Sequence, residues 1–71
     1  MFYLMKGVVK QFNKDKGYGF IKLDDGRDVF FHYSQLVMEG FKNIESGASV
    51  EFELIETERG AQAHHVVKIV E

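Results

Sequence analysis

Aromatic side chains and a histidine crowd one short segment of the 71-residue chain. Residues 14–34 read KDKGYGFIKLDDGRDVFFHYS, in which five aromatic rings and His32 alternate with small, charged or aliphatic residues. Flat exposed rings suit unpaired nucleobases, because every base has a π-face on which a ring can stack. The phosphates of such a strand need cations. Lysines lie in or beside the segment at Lys10, Lys14, Lys16 and Lys22. These residue types favour non-covalent binding of a single nucleic-acid strand.

A catalytic site is not expected from the same residues. Nucleophilic catalysis needs a nucleophile, a base and an orienting group brought together. His32 and Ser34 are two residues apart, but Ser34 is predicted to cap a short turn through Val37. No paired carboxylates stand out. Gly17-x-Gly19 lies between a turn and a strand, whereas a dinucleotide-binding loop lies between a strand and a helix.

Metal and cofactor sites are not expected either. His64 and His65 are adjacent, so on a regular strand they would point to opposite faces and could not hold one ion. His32 has no partner at ligand spacing. The sequence has no cysteine, so neither a disulfide nor a thiolate ligand is available.

Length and charge narrow the class of protein. Residues 1–71 are expected to form a single domain, near the lower size limit for a self-sufficient core. The formal net charge of −2 argues against a generic basic nucleic-acid binder. However, residues 1–42 hold seven Lys/Arg against five Asp/Glu, and residues 43–71 hold two against six. This asymmetry suggests that one side meets a polyanion and the other avoids it, although a plain solvated surface would have the same composition.

The N-terminal segment predicts neither secretion nor membrane insertion. MFYLMKG is too short and wrongly ordered for a signal peptide, and no apolar run reaches transmembrane length. The lack of cysteine fits a reducing compartment, so a cytoplasmic protein without a membrane partner is expected. Residues 1–5 are expected to be an N-terminal extension that either lengthens the first strand or forms an apolar edge.

The apolar residues follow a period of two, which is typical of strands. The predicted turns contain glycine or acidic residues, as in Asp24-Asp25-Gly26. The predicted strands cover residues 3–13, 18–23, 28–33, 50–57 and 62–70. Five short strands in so small a chain must close on themselves to protect their edges. We therefore predict an all-β fold, a five-stranded antiparallel barrel of the OB type.

Alternation along the second and third strands separates the outward rings from the core. The predicted core side consists of Ile21, Leu23, Val29, Phe31 and Tyr33. The opposite face consists of Tyr18, Phe20, Phe30 and His32, which we call the aromatic platform. One outward ring is usually a cross-strand packing partner, but three rings and a histidine on one face favour a binding surface. Gly17 and Gly19 are expected to keep this surface low, so that a ligand can approach closely.

Two motifs in this segment resemble those of a known family. KGYGFI at residues 16–21 looks like the first ribonucleoprotein motif, and VFFHY at residues 29–33 looks like the second. Their order and spacing resemble the bacterial cold-shock proteins, and the match extends from Lys6 to Val70. The larger RNA-recognition motif is rejected, because it places the second motif first and requires two helices.

The resemblance implies a barrel that binds single-stranded RNA and DNA, with a preference for pyrimidines and no cofactor. It also implies a role as an RNA chaperone or a regulator of transcription and translation. The stacking residues would be Phe12, Tyr18, Phe20, Phe30, His32, Tyr33 and Phe41. The residues that meet phosphates or base edges would be Lys10, Lys16 and Arg59. The residues that hydrogen-bond to bases would be Asp28 and Gln62.

The chain departs from the family pattern at two positions near these residues. Gln11 stands where most members have a tryptophan, so one stacking subsite lacks its ring and the affinity is expected to fall about tenfold or more. Ala61 stands where a proline is usual, which loosens the unfolded chain and is expected to cost roughly several tenths of a kcal/mol.

A protein-interaction module is the alternative function. The exposed rings and the acidic second part could serve a protein partner, and the long loop before the fourth strand permits two chains to exchange their last two strands. Lysines around the platform favour nucleic acid, because a protein partner has no need of them whereas a phosphate backbone has. A monomer is the expected state.

Overall fold

A computed structural model describes residues 3–37 and 43–69. Within these residues the secondary structure consists of β1 (Tyr3–Asn13), β2 (Tyr18–Lys22), β3 (Asp28–His32), a 3₁₀ turn (Tyr33–Gln35), β4 (Ser49–Thr57) and β5 (Gly60–Lys68). The predicted all-β fold with five strands is confirmed. In this part of the chain no helix has the length and apolarity needed to cross a membrane.

The strands close into a barrel in the order β1-β2-β3-β5-β4. Neighbouring strands are antiparallel except β3 and β5, which run parallel and pair at Phe30 and Gln62. The prediction of a fully antiparallel barrel is wrong at this seam. The reason is geometric: directions cannot alternate around a closed ring with an odd number of strands, so at least one pair must be parallel.

The inward faces of the strands form one apolar core. Its largest members, Phe31 and Phe52, have no exposed surface, and Ile21, Val29 and Val50 surround them with at most 1% exposure. Burial of these side chains is the main favourable term in folding. Within the described residues no charged or polar residue is buried. The polar side chains of the strands therefore lie on the outer surface.

A bulge in β1 sets which side chains that strand turns outward. The register with β2 shifts between Val9 and Gln11, so Lys10 and Gln11 both point to solvent in succession. Phe12 consequently turns inward, and its ring stacks on that of Phe31 with centroids 5.7 Å apart and planes 12° apart. A bulge is the usual way in which a strand re-aims side chains near a binding surface.

The end of β3 differs from the prediction. The strand stops at His32, and His32 rather than Ser34 caps the following turn, since the Ser34 backbone N–H donates to His32 Nδ1 (3.2 Å). Tyr33 therefore leaves the strand alternation. Its side chain is 46% exposed, so the predicted core position of Tyr33 is wrong.

The two glycines of KGYGF make room for packing within the protein. The prediction that they keep the surface low for a ligand is wrong. Gly17 has a φ of +78°, and a Cβ there would lie 2.7 Å from Cδ1 of Tyr33. Gly19 faces the core, where a Cβ would meet the Gln11 carbonyl oxygen and the Phe31 ring. Each glycine lets an aromatic ring lie directly against the backbone.

Strand β1 begins at Tyr3, so residues 3–5 belong to it and pair with β4. Leu4 in this segment is 68% exposed.

The β2–β3 turn is held by the side chain of Asp25. The Arg27 backbone N–H donates to that carboxylate (2.9 Å), and this bond lowers the pKa of Asp25 below its ordinary value.

Candidate nucleic-acid interface

Strands β2 and β3 bring the aromatic platform together. Phe20 lies opposite Phe30, and Tyr18 lies opposite His32. The ring of Phe30 is 5.7 Å from that of Tyr18 and 6.0 Å from that of Phe20, and Tyr18 and Phe20 are 6.2 Å apart. These distances are those of tilted and edge-to-face aromatic contacts. The three rings are half-buried and His32 is exposed, so the platform faces solvent as its alternation predicted.

Tyr33 lies beside the platform at the end of β3, with its ring centroid 4.6 Å from that of His32. The Nδ1 atom of His32 accepts the Ser34 backbone N–H and lies 2.8 Å from the Ser34 hydroxyl oxygen. An accepting Nδ1 leaves the proton of the neutral ring on Nε2. That N–H can be donated to a ligand.

One cleft beside the platform, the Gln62 cleft, joins residues from β2, β3, the β4–β5 turn and β5. It has a volume of about 350 Å³ and is lined by Phe20, Phe30, Arg59, Ala61 and Gln62. The pairing of β3 with β5 places Gln62 directly beside Phe30. Closure of the barrel thus brings a guanidinium and an amide to rings that lie about thirty to forty residues earlier in the chain.

A second cleft, the Gln11 cleft, lies between β1 and Tyr18. It has a volume of about 390 Å³ and is lined by Gln11, Phe12, Asn13, Lys14 and Tyr18. Because Phe12 packs against the core, it borders this cleft without joining the aromatic platform. The structure therefore separates Phe12 from the other predicted stacking residues on the sheet surface.

Two of the predicted polar residues bond to each other. Lys10 Nζ lies 3.0 Å from Asp28 Oδ2, and both side chains are substantially exposed. Exposed ion pairs are worth about 0–1 kcal/mol, so a phosphate or a base can replace either partner at little cost. Lys16 is exposed in the β1–β2 turn, where its backbone N–H donates to Asn13 Oδ1 (3.0 Å). Phe41 lies outside the described residues.

The two adjacent histidines do not follow the prediction of opposite faces. A register shift in β5 places both His64 and His65 between the buried residues Ala63 and Val66, so both point outward. His65 has a φ of +52°, and its Nδ1 lies 3.1 Å from the Glu53 carboxylate. Within residues 3–37 and 43–69, no three His, Cys, Asp or Glu side chains are grouped so as to hold a metal ion.

Ile55 is a neighbour of the site that sequence reasoning missed. It lies opposite Gln62, which in turn lies opposite Phe30, so all three side chains share the outer surface. The alternation within β4 contains the signal, because Ile55 is an apolar residue in the outward series of Glu51 and Glu53. Its position beside the platform depends on the β3–β5 pairing, which the sequence pattern does not reveal.

The chain matches the 'Cold-shock' DNA-binding domain family over residues 5–69. It is 50% identical over 66 residues to cold shock-like protein CspLB of Listeria monocytogenes and to cold shock protein CspA of Staphylococcus saprophyticus, a match that covers 93% of this chain and 100% of each relative. The solved structure "drosophila Unr CSD456" is similar with a TM-score of 0.80 at 22% identity, over 96% of this chain and 27% of that longer one. At that identity the structural likeness supports the fold alone.

Proposed function

Since the chain belongs to the cold-shock domain family, whose members bind nucleic acid and are not enzymes, we propose that it binds single strands by stacking unpaired bases on the aromatic platform. The observation that carries this proposal is the contiguity of three half-buried rings and an exposed histidine on one face. Duplex bases are already stacked on each other, so such a surface favours bases that have no partner.

Binding of a short labelled oligothymidine of about eight bases tests this proposal, since one OB fold accommodates about 4–16 nucleotides. Fluorescence anisotropy is measured with the single strand and with a duplex of the same length, each at low and moderate salt. We expect micromolar or tighter binding to the single strand only, with a shallow salt dependence. Equal binding to both forms that falls steeply with salt would overturn the proposal, because it would show contacts with phosphate alone. Absence of binding to either would favour the protein-partner alternative.

A preference for pyrimidines is part of the proposal. Runs of pyrimidines stack weakly on themselves and are flexible, so they lose less stacking free energy when their bases separate to lie on the protein. We expect oligothymidine to bind more tightly than oligoadenine of the same length. Equal affinities would contradict the preference while leaving stacking itself intact.

We further propose that the protein acts as an RNA chaperone or as a regulator of transcription and translation in the cytoplasm. A protein that binds only the open strand shifts weak base pairing toward the open form by mass action. A hairpin RNA with a short stem, labelled with a fluorophore and a quencher, should melt at a lower temperature when the protein is present above its Kd. An unchanged melting temperature would contradict the chaperone role.

We propose that the protein binds as a monomer, with β4 and β5 closing the barrel of their own chain. Size-exclusion chromatography with light scattering should give a mass near 8.2 kDa at micromolar concentration. A stable species of twice that mass would instead support exchange of the last two strands between chains.

A further inference from the structure

The Gln11 cleft and the Gln62 cleft contain the same kinds of group although different strands build them. The Gln62 cleft combines the rings of Phe20 and Phe30 with the Gln62 amide and the Arg59 guanidinium. The Gln11 cleft combines the Tyr18 ring with the Gln11 amide and the Lys14 ammonium. A ring, an amide and a cation are suited to the face, the edge and the phosphate of one nucleotide, respectively. Each cleft therefore has the groups to bind one nucleotide.

The two amides lie at opposite ends of one row of side chains across the sheet. The strand registers place Gln11 opposite Phe20, Phe20 opposite Phe30, and Phe30 opposite Gln62. With neighbouring strands about 4.8 Å apart, the Cα atoms of the two glutamines are roughly 14 Å apart along the curved sheet. Bases stacked on rings within this span have an amide at either flank.

The Gln11 amide is available for a ligand. The bulge in β1 turns this side chain outward, where it is exposed. The neighbouring Asn13 uses its side-chain oxygen to accept the backbone N–H groups of Asp15 and Lys16 (3.0 Å each). Within residues 3–37 and 43–69, no comparable hydrogen bond engages the Gln11 side chain.

A primary amide carries a donor and an acceptor side by side, which neither a lysine nor an aromatic ring does. This pair complements a base edge that presents an acceptor beside a donor, such as O4 and N3–H of thymine or uracil. Stacking depends on the face of a base and is indifferent to its edge. An amide at the flank of a stacked base makes binding depend on that edge as well.

The family resemblance already implies that Gln62 hydrogen-bonds to a base. We propose that Gln11 does the same at the opposite flank of the rings, so that the site selects two bases of the strand by edge as well as by face. This inference rests on the proposed function, because an edge can be read only when a base is stacked beside the amide. It makes Gln11 a residue that determines specificity.

The experiment measures how methylation of a base edge changes affinity. A series of oligothymidines is prepared in which one thymine at a time is replaced by N3-methylthymine, which stacks but has no N3–H to donate. With the wild-type protein we expect two positions at which methylation weakens binding about threefold to tenfold, the range of one net hydrogen bond. At the other positions the Kd should change little.

Two variants assign the sensitive positions. Gln11→Met and Gln62→Met keep a flexible side chain of similar length but remove the amide. Gln11→Met should abolish the methylation effect at one position and leave it at the other, and Gln62→Met should do the reverse. Each variant is thus the control for the other, and thermal unfolding checks that both remain folded.

If wild-type protein binds unmodified oligothymidine but no position is sensitive to methylation, edge reading is overturned and stacking stands. If Gln11→Met retains both sensitive positions, Gln11 does not read a base. If unmodified oligothymidine is not bound at all, the proposed function itself fails.

Discussion

At the scale of single residues, the rings of the platform touch one another as well as solvent. Phe20 and Phe30 lie opposite each other on β2 and β3 with ring centroids 6.0 Å apart, and neither belongs to the buried core. Removing one ring therefore deprives a bound base of its stacking partner while the inward packing stays complete. Binding should respond to such a change much more strongly than folding does.

Phe20→Ala and Phe30→Ala should each weaken oligothymidine binding by about 1–3 kcal/mol per lost stacked base. Circular dichroism at low temperature should still show a folded barrel. The matched control is Val67→Ala, which truncates an exposed apolar side chain on β5 and should leave the Kd unchanged. A variant that unfolds without a separable binding defect would show that the ring supports the core.

Gln11→Trp should tighten oligothymidine binding. A stacking ring contributes about 1–3 kcal/mol per base, whereas one hydrogen bond contributes about 0.5–1.5 kcal/mol net. At the middle of these ranges the gain from the ring exceeds the loss of the amide by about 1 kcal/mol, which is about fivefold in Kd. The measurement is anisotropy with the same probe, and an unchanged Kd would show that the ring contributes no more here than the amide that it replaces.

At the scale of the elements, bulges decide which side chains the strands present. In β1 the bulge turns Lys10 and Gln11 outward together, and in β5 another turns His64 and His65 outward together. A bulge leaves one extra residue unpaired, so the alternation on its far side is inverted. The inversion in β1 moves Phe12 from the outer surface to the core side.

The pairing of β1 with β2 requires a residue without a side chain at position 19. A Cβ on Gly19 would lie 2.9 Å from Phe31 and still nearer to the Gln11 carbonyl oxygen. Gly19→Ala should therefore destabilise the protein by about 1–3 kcal/mol or more, the usual range for overpacking. Urea unfolding measures this as a lower midpoint.

Gly26→Ala is the control for that variant. Gly26 has a φ of +92°, and a Cβ there would have no neighbouring atom within 4 Å, so an alanine meets backbone strain alone. That strain should cost about 1–2 kcal/mol. A smaller loss of stability for Gly19→Ala than for Gly26→Ala would contradict the packing account of KGYGF.

At the scale of the whole molecule, the charges are distributed over different parts of the barrel. The lysines near the platform lie on β1, β2 and the turn between them, and β4 carries Glu51, Glu53 and Glu56. In the closed order, β4 neighbours β1 and β5 but neither β2 nor β3. A polyanion that approaches the platform therefore avoids these three glutamates despite the net charge of −2.

Few phosphate contacts are expected, so the affinity should depend only weakly on salt. Each cationic side chain that contacts a phosphate should contribute a fixed part of the slope. Lys16→Gln and Arg59→Gln should each lower the slope of log Kd against log salt by about 0.7, the value for one phosphate contact on a single strand. Lys6→Gln, on the part of β1 that pairs with β4, is the matched control. Equal slopes for all three variants and the wild type would exclude phosphate contacts at Lys16 and Arg59.

The sequence by itself determined the strands and the face on which most of the rings lie. Period-two alternation is a local property, so it identified the inward Ile21, Val29 and Phe31 and the outward Tyr18, Phe20 and Phe30 without knowledge of the fold. The turn signals placed the strand boundaries to within a few residues. The motifs KGYGFI and VFFHY were enough to indicate the family.

Only the tertiary structure decided where the alternation breaks and what lies beside the platform. The bulges and the parallel β3–β5 seam arise from contacts between segments distant in sequence, and the cap at the end of β3 is a side-chain hydrogen bond; a local period encodes neither. Those contacts moved Phe12 toward the core and Tyr33 to the surface. They also placed Gln11 and Gln62 at the two flanks of the rings, because barrel closure joins strands from both halves of the chain.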